Sequence, residues 1–258
     1  MSDTVLYEQQ DAVAIVSLNR PDALNGFDTE MRRALLAAIE KAAGDESVRA
    51  VVLRAEGRCF SAGADLKAGF DAERGVEGQL QDEYRPSLEA IADVPKPVIA
   101  AVHGFAAGIG LSYALQSDLV IMAEDAFLLS PFTTISLVPD GGANWMLVRQ
   151  LGYRRAFELS VESERILAPR CVELGLANRT APAESLRDAA VAWAADLAKR
   201  APLSLAATKQ AMRFAADNDW PAGYDLEARL QAELLASDDA KEGVAAFFEK
   251  RAPEFKGR

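Results

Sequence analysis

Short runs of Val, Ile and Ala alternate with turn-rich polar stretches along the first 150 residues. AVAIVSLN (12–19) reads as a strand that stops at the turn-like RPDALN, and VRAVVLRAEG (48–57) as a second strand. Between them TEMRRALLAAIEKAAG has helical spacing, with Asp28 or Thr29 as N-cap and Gly44 after the last turn. PVIAAVHG predicts a buried strand running into a Gly-rich turn and the helix GIGLSYALQ, and LVIMAE and AFLLSP predict short strands. GGANWMLVRQLG predicts a helix closed by Gly152. Alternating strands and helices require crossover connections, hence an α/β fold with mainly parallel pairing.

Two regions depart from that alternation. From about 67 to 93 the pattern is irregular and charged, with Gly69, Gly75 and Gly78, which predicts a mobile loop and helix beside a site. Beyond 153 the alternation fades. SLRDAAVAWAADLAKR, LSLAATKQAMRFAAD, YDLEARLQAELLAS and AKEGVAAFFEKR predict four successive helices, some of whose apolar faces a neighbouring subunit would cover.

Composition narrows the classes of function. Half of the 258 residues are hydrophobic, enough for a sizeable core. The 39 acids outnumber the 28 Lys and Arg, a net charge of -11 that argues against nucleic-acid binding. Cys59, Cys171 and the single His103 give neither a disulfide framework nor a Cys/His metal site, which suits a reducing, cytoplasmic setting. The acidic N-terminus has no apolar leader. The apolar stretch 98–115 contains three glycines, Ser112 and His103, so strand-turn-helix explains it better than a membrane span.

Chemistry concentrates at three places. SAGADL (61–66) and HGFAAGIGL (103–111) put glycine where a strand gives way to a loop or helix, where backbone N–H groups are free to hold an anion or oxyanion. LVPDGG (137–142) puts Asp140 before two glycines, either as cap of the next helix or as a proton-transferring group. His103, ending a strand before a turn, fits a structural role, and no G-x-S-x-G elbow, Walker motif or dinucleotide fingerprint is present.

LNRPDALNGF, GRCFSAGADL, PKPVIAAVHGFAAGIGLSYALQSD, LVPDGG and EGVAAFFEKRAPEF, in that order, resemble the crotonase, or enoyl-CoA hydratase/isomerase, superfamily from about residue 5 to 258. The resemblance implies a crotonase-like spiral of ββα units over 1–195, with a helical oligomerisation region over 196–258 that forms trimers or hexamers. It implies acyl-CoA thioester substrates and no cofactor, CoA being part of the substrate. Carried over by position, the backbone N–H groups of Ala64 and Ile109 form an oxyanion hole. Ala23, Ala62, Gly63, Asp65, Leu66 and Gly108 line the CoA and thioester site, and Phe255 and Lys256 reach CoA from a neighbouring subunit.

Departures from the family pattern carry more information. The two glutamates of hydratases fall here on Ser112 and Phe132, neither of which serves as a base near neutral pH, and Pro131 and Thr133 supply no acid. Asp140 stands where isomerases of the superfamily carry an aspartate, and VPDGG followed by Trp145 resembles the phenylacetate-pathway branch. The expectation is therefore an acyl-CoA double-bond isomerase with Asp140 as proton shuttle and an apolar wall of Phe132, Leu137, Val138 and Trp145. The alternatives are an enoyl-CoA hydratase with relocated acids, or a catalytically silent acyl-CoA binder.

Overall fold

The computed structural model describes residues 3–69 and 74–258. Its main sheet has six strands in the order β1-β2-β3-β4-β6-β9: Val5–Gln10, Val13–Leu18, Ala50–Ala55, Val98–Val102, Leu119–Ala123 and Arg179–Ala181. Only β1 and β2 pair antiparallel; every later neighbour is parallel. Every residue of β2 and of β4 is buried, as expected where helices cover both faces of a parallel sheet.

A smaller sheet runs alongside, built from β5 (Phe105–Ala107), β7 (Phe127–Leu129) and β8 (Ile166–Leu167). Two isolated parallel bridges, Phe27 to Ala64 and Ser61 to Ala106, continue this ladder towards the N-terminus. Each turn of chain thus gives a strand to the large sheet and a rung to the small one, which is the spiral expected. The corner between β4 and β5 requires Gly104: its φ is +58°, and a Cβ there would lie 2.2 Å from the Arg58 carbonyl oxygen.

The helices are α1 (Thr29–Gly44), α2 (Gly75–Gln79), α3 (Arg85–Asp93), α4 (Ile109–Gln116), α5 (Ala143–Leu151), α6 (Tyr153–Glu162), α7 (Ala168–Glu173), α8 (Leu186–Ala198), α9 (Pro202–Asp217), α10 (Trp220–Leu235) and α11 (Asp238–Glu249). Asp28 caps α1 by accepting from the Met31 N–H at 2.8 Å. The segment expected to be irregular is helical from 75 to 93, with a π-helical turn at Leu80–Tyr84 joining α2 to α3. The part of that expectation falling on 70–73 lies outside the described residues, as do the first two residues of the N-terminus.

The alternation does not fade at 153. Helices α6 and α7 and strands β8 and β9 intervene, and β9 completes the main sheet. Strands of two and three residues, β5 among them, are too short to show a period in sequence, and β1, half of it exposed, is not predicted either. Helix α8 packs on β2, β3, β4 and β6, so the sheet keeps the chain until Ala198 and the expected boundary at 195 falls in the last turn of α8. Among the described residues no helix is long and apolar enough to cross a membrane.

Candidate active site

The first half of the site is backbone. Phe27 N–H donates to the Gly63 carbonyl at 2.8 Å and the Asp65 N–H to the Phe27 carbonyl at 3.1 Å. In such a ladder the intervening residue, Ala64, turns its own N–H to the opposite side. On that side α4 begins. Gly108 (φ +56°) supplies the sharp entry, and Ile109 opens the helix with an N–H that has no intrahelical partner. A Cβ on Gly63 would lie 3.0 Å from the Ala107 carbonyl oxygen and 3.5 Å from the Ile109 nitrogen, so the two segments touch. Neither the Ala64 nor the Ile109 amide donates to an acceptor among the described residues. Two free donors on adjoining segments can hold one oxygen that develops negative charge.

Everything around these amides is tied down. Buried Asn25 donates to the Glu56 and Cys59 carbonyls at 2.8 and 2.9 Å, and accepts from the Arg20 N–H at 2.8 Å. Ser61 Oγ donates to the Asn25 carbonyl at 2.8 Å and accepts from the Gly63 N–H at 3.0 Å. Asp65 is part of this frame. Burial pushes its carboxyl up, but Arg20 at 3.0 Å and the Lys67 and Ala68 amides outweigh that and hold it below its ordinary value. The Ala62 N–H donates to the Leu24 carbonyl, which brings the exposed residues Ala23, Ala62 and Leu66 to the same mouth of the site. His103 bonds the Gly57 carbonyl through Nε2 at 2.9 Å, and burial lowers its pKa, a structural role as expected.

The second half is the turn carrying Asp140. Gly141 packs so tightly on α4 that a Cβ there would lie 2.8 Å from Ile109 Cγ1 and 2.9 Å from Ser112 Cβ. Ser112 Oγ, fully buried, donates to the Asp140 backbone carbonyl at 2.8 Å. Ser112 therefore anchors the turn, and the acid sits over the first turns of the helix whose N–H groups are free.

Asp140 is not the cap of α5. That helix starts at Ala143 with Gly142 (φ +82°) as its N-cap and no side-chain cap bond. Asp140 Oδ1 is buried with no hydrogen-bond partner among the described residues. Burial raises its pKa to about 6, opposed only by its own backbone N–H. An isolated desolvated carboxylate is a stronger base than a solvated one.

Its setting differs in part from the expected apolar wall. Phe132 is buried, with its ring tip 3.9 Å from where a Gly108 Cβ would lie. Leu137, Val138 and Trp145 are 54%, 70% and 47% exposed, so in the single chain they do not enclose the acid, although Trp145 lines the neighbouring cavity. Tyr84 and Tyr113 lie near enough for the Asp140 charge to help raise both their pKa values. For each, burial is the main cause, and Tyr84 is pushed up to about 12. Tyr113 stacks on Phe27 at 4.3 Å and shares a 2.6 Å hydrogen bond with Ser87.

Sequence reasoning missed a buried cation behind these tyrosines. Arg32 is 2% exposed; it donates to the Phe27 carbonyl at 3.0 Å and to the Tyr84 hydroxyl at 2.9 Å, and pairs with Glu83. It joins the strand beside Ala64 to the π-helical turn. A signal existed: Arg32 falls on the same α1 stripe as Leu35 and Ile39, where a solvated residue would not be placed.

A cavity of about 680 Å³ opens from Gly141 and Gly142 between α3, α5 and α9, lined also by Tyr84, Leu88 and Met146. Phe255 and Lys256 are elsewhere. Phe255 packs on Gly243 of α11, and the Lys256 and Gly257 amides donate to buried Asp239 at 2.6 and 2.8 Å. Within one chain they do not join the site.

These features combine a two-sheet spiral, two free amides and one carboxylate oxygen without a partner among the described residues. The enoyl-CoA hydratase/isomerase family model matches residues 8–258. The chain is 42% identical to a Rhodobacter capsulatus protein named "Probable enoyl-CoA hydratase", covering 99% of this chain and 98% of that one. It is 34% identical to the 1,2-epoxyphenylacetyl-CoA isomerase and 36% identical to the 2,3-dehydroadipyl-CoA hydratase of Escherichia coli, with full coverage on both sides. The solved enoyl-CoA hydratase from Bacillus anthracis superposes with a TM-score of 0.94 at 31% identity, covering 99% of this chain and 100% of that one. The chain belongs to the enoyl-CoA hydratase/isomerase family and has the crotonase fold.

Proposed function

We propose that this protein is an acyl-CoA double-bond isomerase that uses Asp140 as its single proton shuttle. One observation carries the reading: Asp140 is a half-buried carboxylate whose Oδ1 is buried with no partner among the described residues, held over α4, while the two positions of the hydratase glutamates hold Ser112 and Phe132. The thioester oxygen accepts from the Ala64 and Ile109 N–H groups. Asp140 takes a proton from C2 of a 3-enoyl-CoA, and the electron pair spreads through the carbonyl as a dienolate. The same carboxyl returns the proton to C4, leaving the double bond between C2 and C3. Two preorganised donors contribute roughly 3 to 4 kcal/mol each to stabilising the enolate. A 1,3-proton shift needs no second nucleophile and, as written, no cofactor.

The hydratase reading draws support from the name of the Rhodobacter capsulatus relative. It needs a second acid, and the acids on the cavity wall, Glu89 and Asp217, are paired with Arg85 and Arg149. The ring-epoxide substrate in the name of the 34% identical relative is a narrower version of the isomerase reading. We place the assembly as a trimer or pair of trimers: α9 has no buried residue in the single chain, and Phe255 and Lys256 would serve a neighbour's CoA.

The test incubates wild type and Asp140→Asn with 3-enoyl-CoA and with 2-enoyl-CoA. The wild type should shift the double bond and hydrate poorly, and the variant should lose the shift by about 10³-fold or more. Dominant hydration that survives the substitution overturns the assignment of the base. Binding of CoA esters with neither reaction leaves the ring-epoxide substrate to be assayed next, and failure there identifies a silent binder.

A further inference from the structure

The backbone around Asp140 is held on both sides while Oδ1 of its carboxyl is not. The Pro139 carbonyl, part of the peptide before Asp140, accepts from the Asn144 side-chain amide at 2.6 Å. The Asp140 carbonyl, part of the peptide after it, accepts from the Ala143 N–H at 3.1 Å and from the Ser112 hydroxyl at 2.8 Å. The two side-chain donors come from different elements: Asn144 is the second residue of α5, and Ser112 lies on α4.

The Ser112 bond is more than the turn needs. The Ala143 N–H already satisfies the Asp140 carbonyl and closes the turn by itself. A serine inside a helix commonly gives its hydroxyl to the carbonyl one turn back. Ser112, fully buried, donates instead to a segment 28 residues further on. What the bond adds is register between that segment and α4. Ser112 stands three residues after Ile109, so the two share a face of the helix. Gly141 rests on that face: a Cβ there would lie 2.8 Å from Ile109 Cγ1 and 3.0 Å from Ser112 Oγ. One turn of α4 therefore carries both the free Ile109 N–H and the hydroxyl that ties down Asp140.

Resting on the isomerase reading above, we propose that Ser112 and Asn144 are positioning residues that keep the Asp140 carboxyl in register with the Ala64 and Ile109 amides. Each fixes one of the two peptide groups that flank the acid, which leaves the carboxyl only the rotations of its own side chain. A reacting group displaced by about 1 Å can cost on the order of 10²-fold in rate. Loss of a tether should therefore show in the chemical step and not in binding.

The test compares the whole chain as wild type, Ser112→Ala and Asn144→Ala. It measures turnover of 3-hexenoyl-CoA, calorimetric binding of hexanoyl-CoA, and the titration of the Asp140 carboxyl by NMR of protein carrying ¹³C-labelled aspartate, with Asp140→Asn to assign the resonance. Ser112→Ala should lower kcat by about tenfold or more and Asn144→Ala by about threefold or more, with KM and hexanoyl-CoA affinity within about twofold of wild type. A loosened turn admits water, so in both variants the carboxyl should titrate below the wild type, where burial places it at about 6. Tyr84 and Tyr113, the titratable groups that sense its charge, stay protonated through this range. The Ala143 bond to the Asp140 carbonyl remains in both variants, so the fold is expected to hold, and a thermal melt checks it.

A kcat for Ser112→Ala within about threefold of wild type overturns the proposal. So does a loss matched by an equal loss of hexanoyl-CoA binding, because the serine would then serve binding or structure. A wild type without double-bond migration sinks the isomerase reading alone. The NMR titration then decides the positioning: a lower midpoint in Ser112→Ala supports it, and an unmoved one overturns it.

Discussion

The two sides of the site are built on opposite principles. On the Ala64–Ile109 side almost every polar group is satisfied: Asn25, Ser61, Asp65 and the strand ladder account for one another, and the Ala64 and Ile109 amides are left without an acceptor among the described residues. On the Asp140 side a carboxylate oxygen is left buried and without a partner among the described residues, and burial shifts its protonation towards neutral pH. A donor pair works by being rigid, whereas a base works by being poorly solvated. The first adds order to the fold, and the second costs the folded state stability whenever the acid is ionised.

Breaking the rigid side should have the largest effect. Gly63 has φ of +102°, and a Cβ there would press on the Ala107 carbonyl oxygen at 3.0 Å, immediately beside the Ile109 nitrogen. Gly63→Ala should lower kcat by about 10²- to 10³-fold, the loss seen when one oxyanion donor is removed. Gly44→Ala, at the end of α1 with nothing within 4 Å, should leave kcat unchanged. A loss under tenfold for Gly63→Ala, with native circular dichroism, would show that the cradle tolerates displacement.

The same contrast explains what was legible in the sequence. The rigid side is local: glycines at strand ends mark SAGADL and HGFAAGIGL, and the resemblance supplied Ala64 and Ile109. LVPDGG was equally visible, but cap or base could not be decided from it, because the answer lay in whether α5 starts on Gly142 and whether Oδ1 finds a partner. The setting of the acid was invisible for a different reason. Tyr84, Arg32 and Glu83 meet across some fifty residues, and Arg213 reaches Gln116 from α9, so no window of sequence contains those contacts. The fold followed the same rule. Long apolar strands such as β2 and β4 were found, whereas β8 and β9, held by their place in the sheets, were not.

Removing the unsatisfied charge should stabilise the protein. The Asp140 carboxyl is raised on folding from 3.8 to about 6. A raised acid favours folding while it is neutral, below the unfolded value near 4, and that contribution is lost as the pH climbs through about 6. Above that the folded state carries a desolvated charge that Asp140→Asn lacks. Discounted for partial exposure, the variant should be more stable by about 2 kcal/mol at pH 8, and the gain should shrink towards zero below about pH 4. Urea unfolding at both pH values measures it. A loss of stability at pH 8 would mean that the carboxylate is well solvated or paired after all.

The gentlest probe leaves the chain unchanged and titrates the base. The proton shuttle must start ionised, so kcat/KM should rise with pH on a single acidic limb and level off above about pH 7. Its midpoint should report the free enzyme's Asp140 near 6. At pH 5 the rate should be about tenfold below its plateau, since the ionised fraction falls tenfold per unit below the midpoint. Tyr84 and Tyr113 are both raised and stay protonated across this range, so neither adds a limb near neutral pH. A midpoint at 4 or below would place Asp140 in water and remove the distinction between the two sides of the site. A midpoint near 6 that persists in Asp140→Asn would assign the titration, and with it the base, to another group.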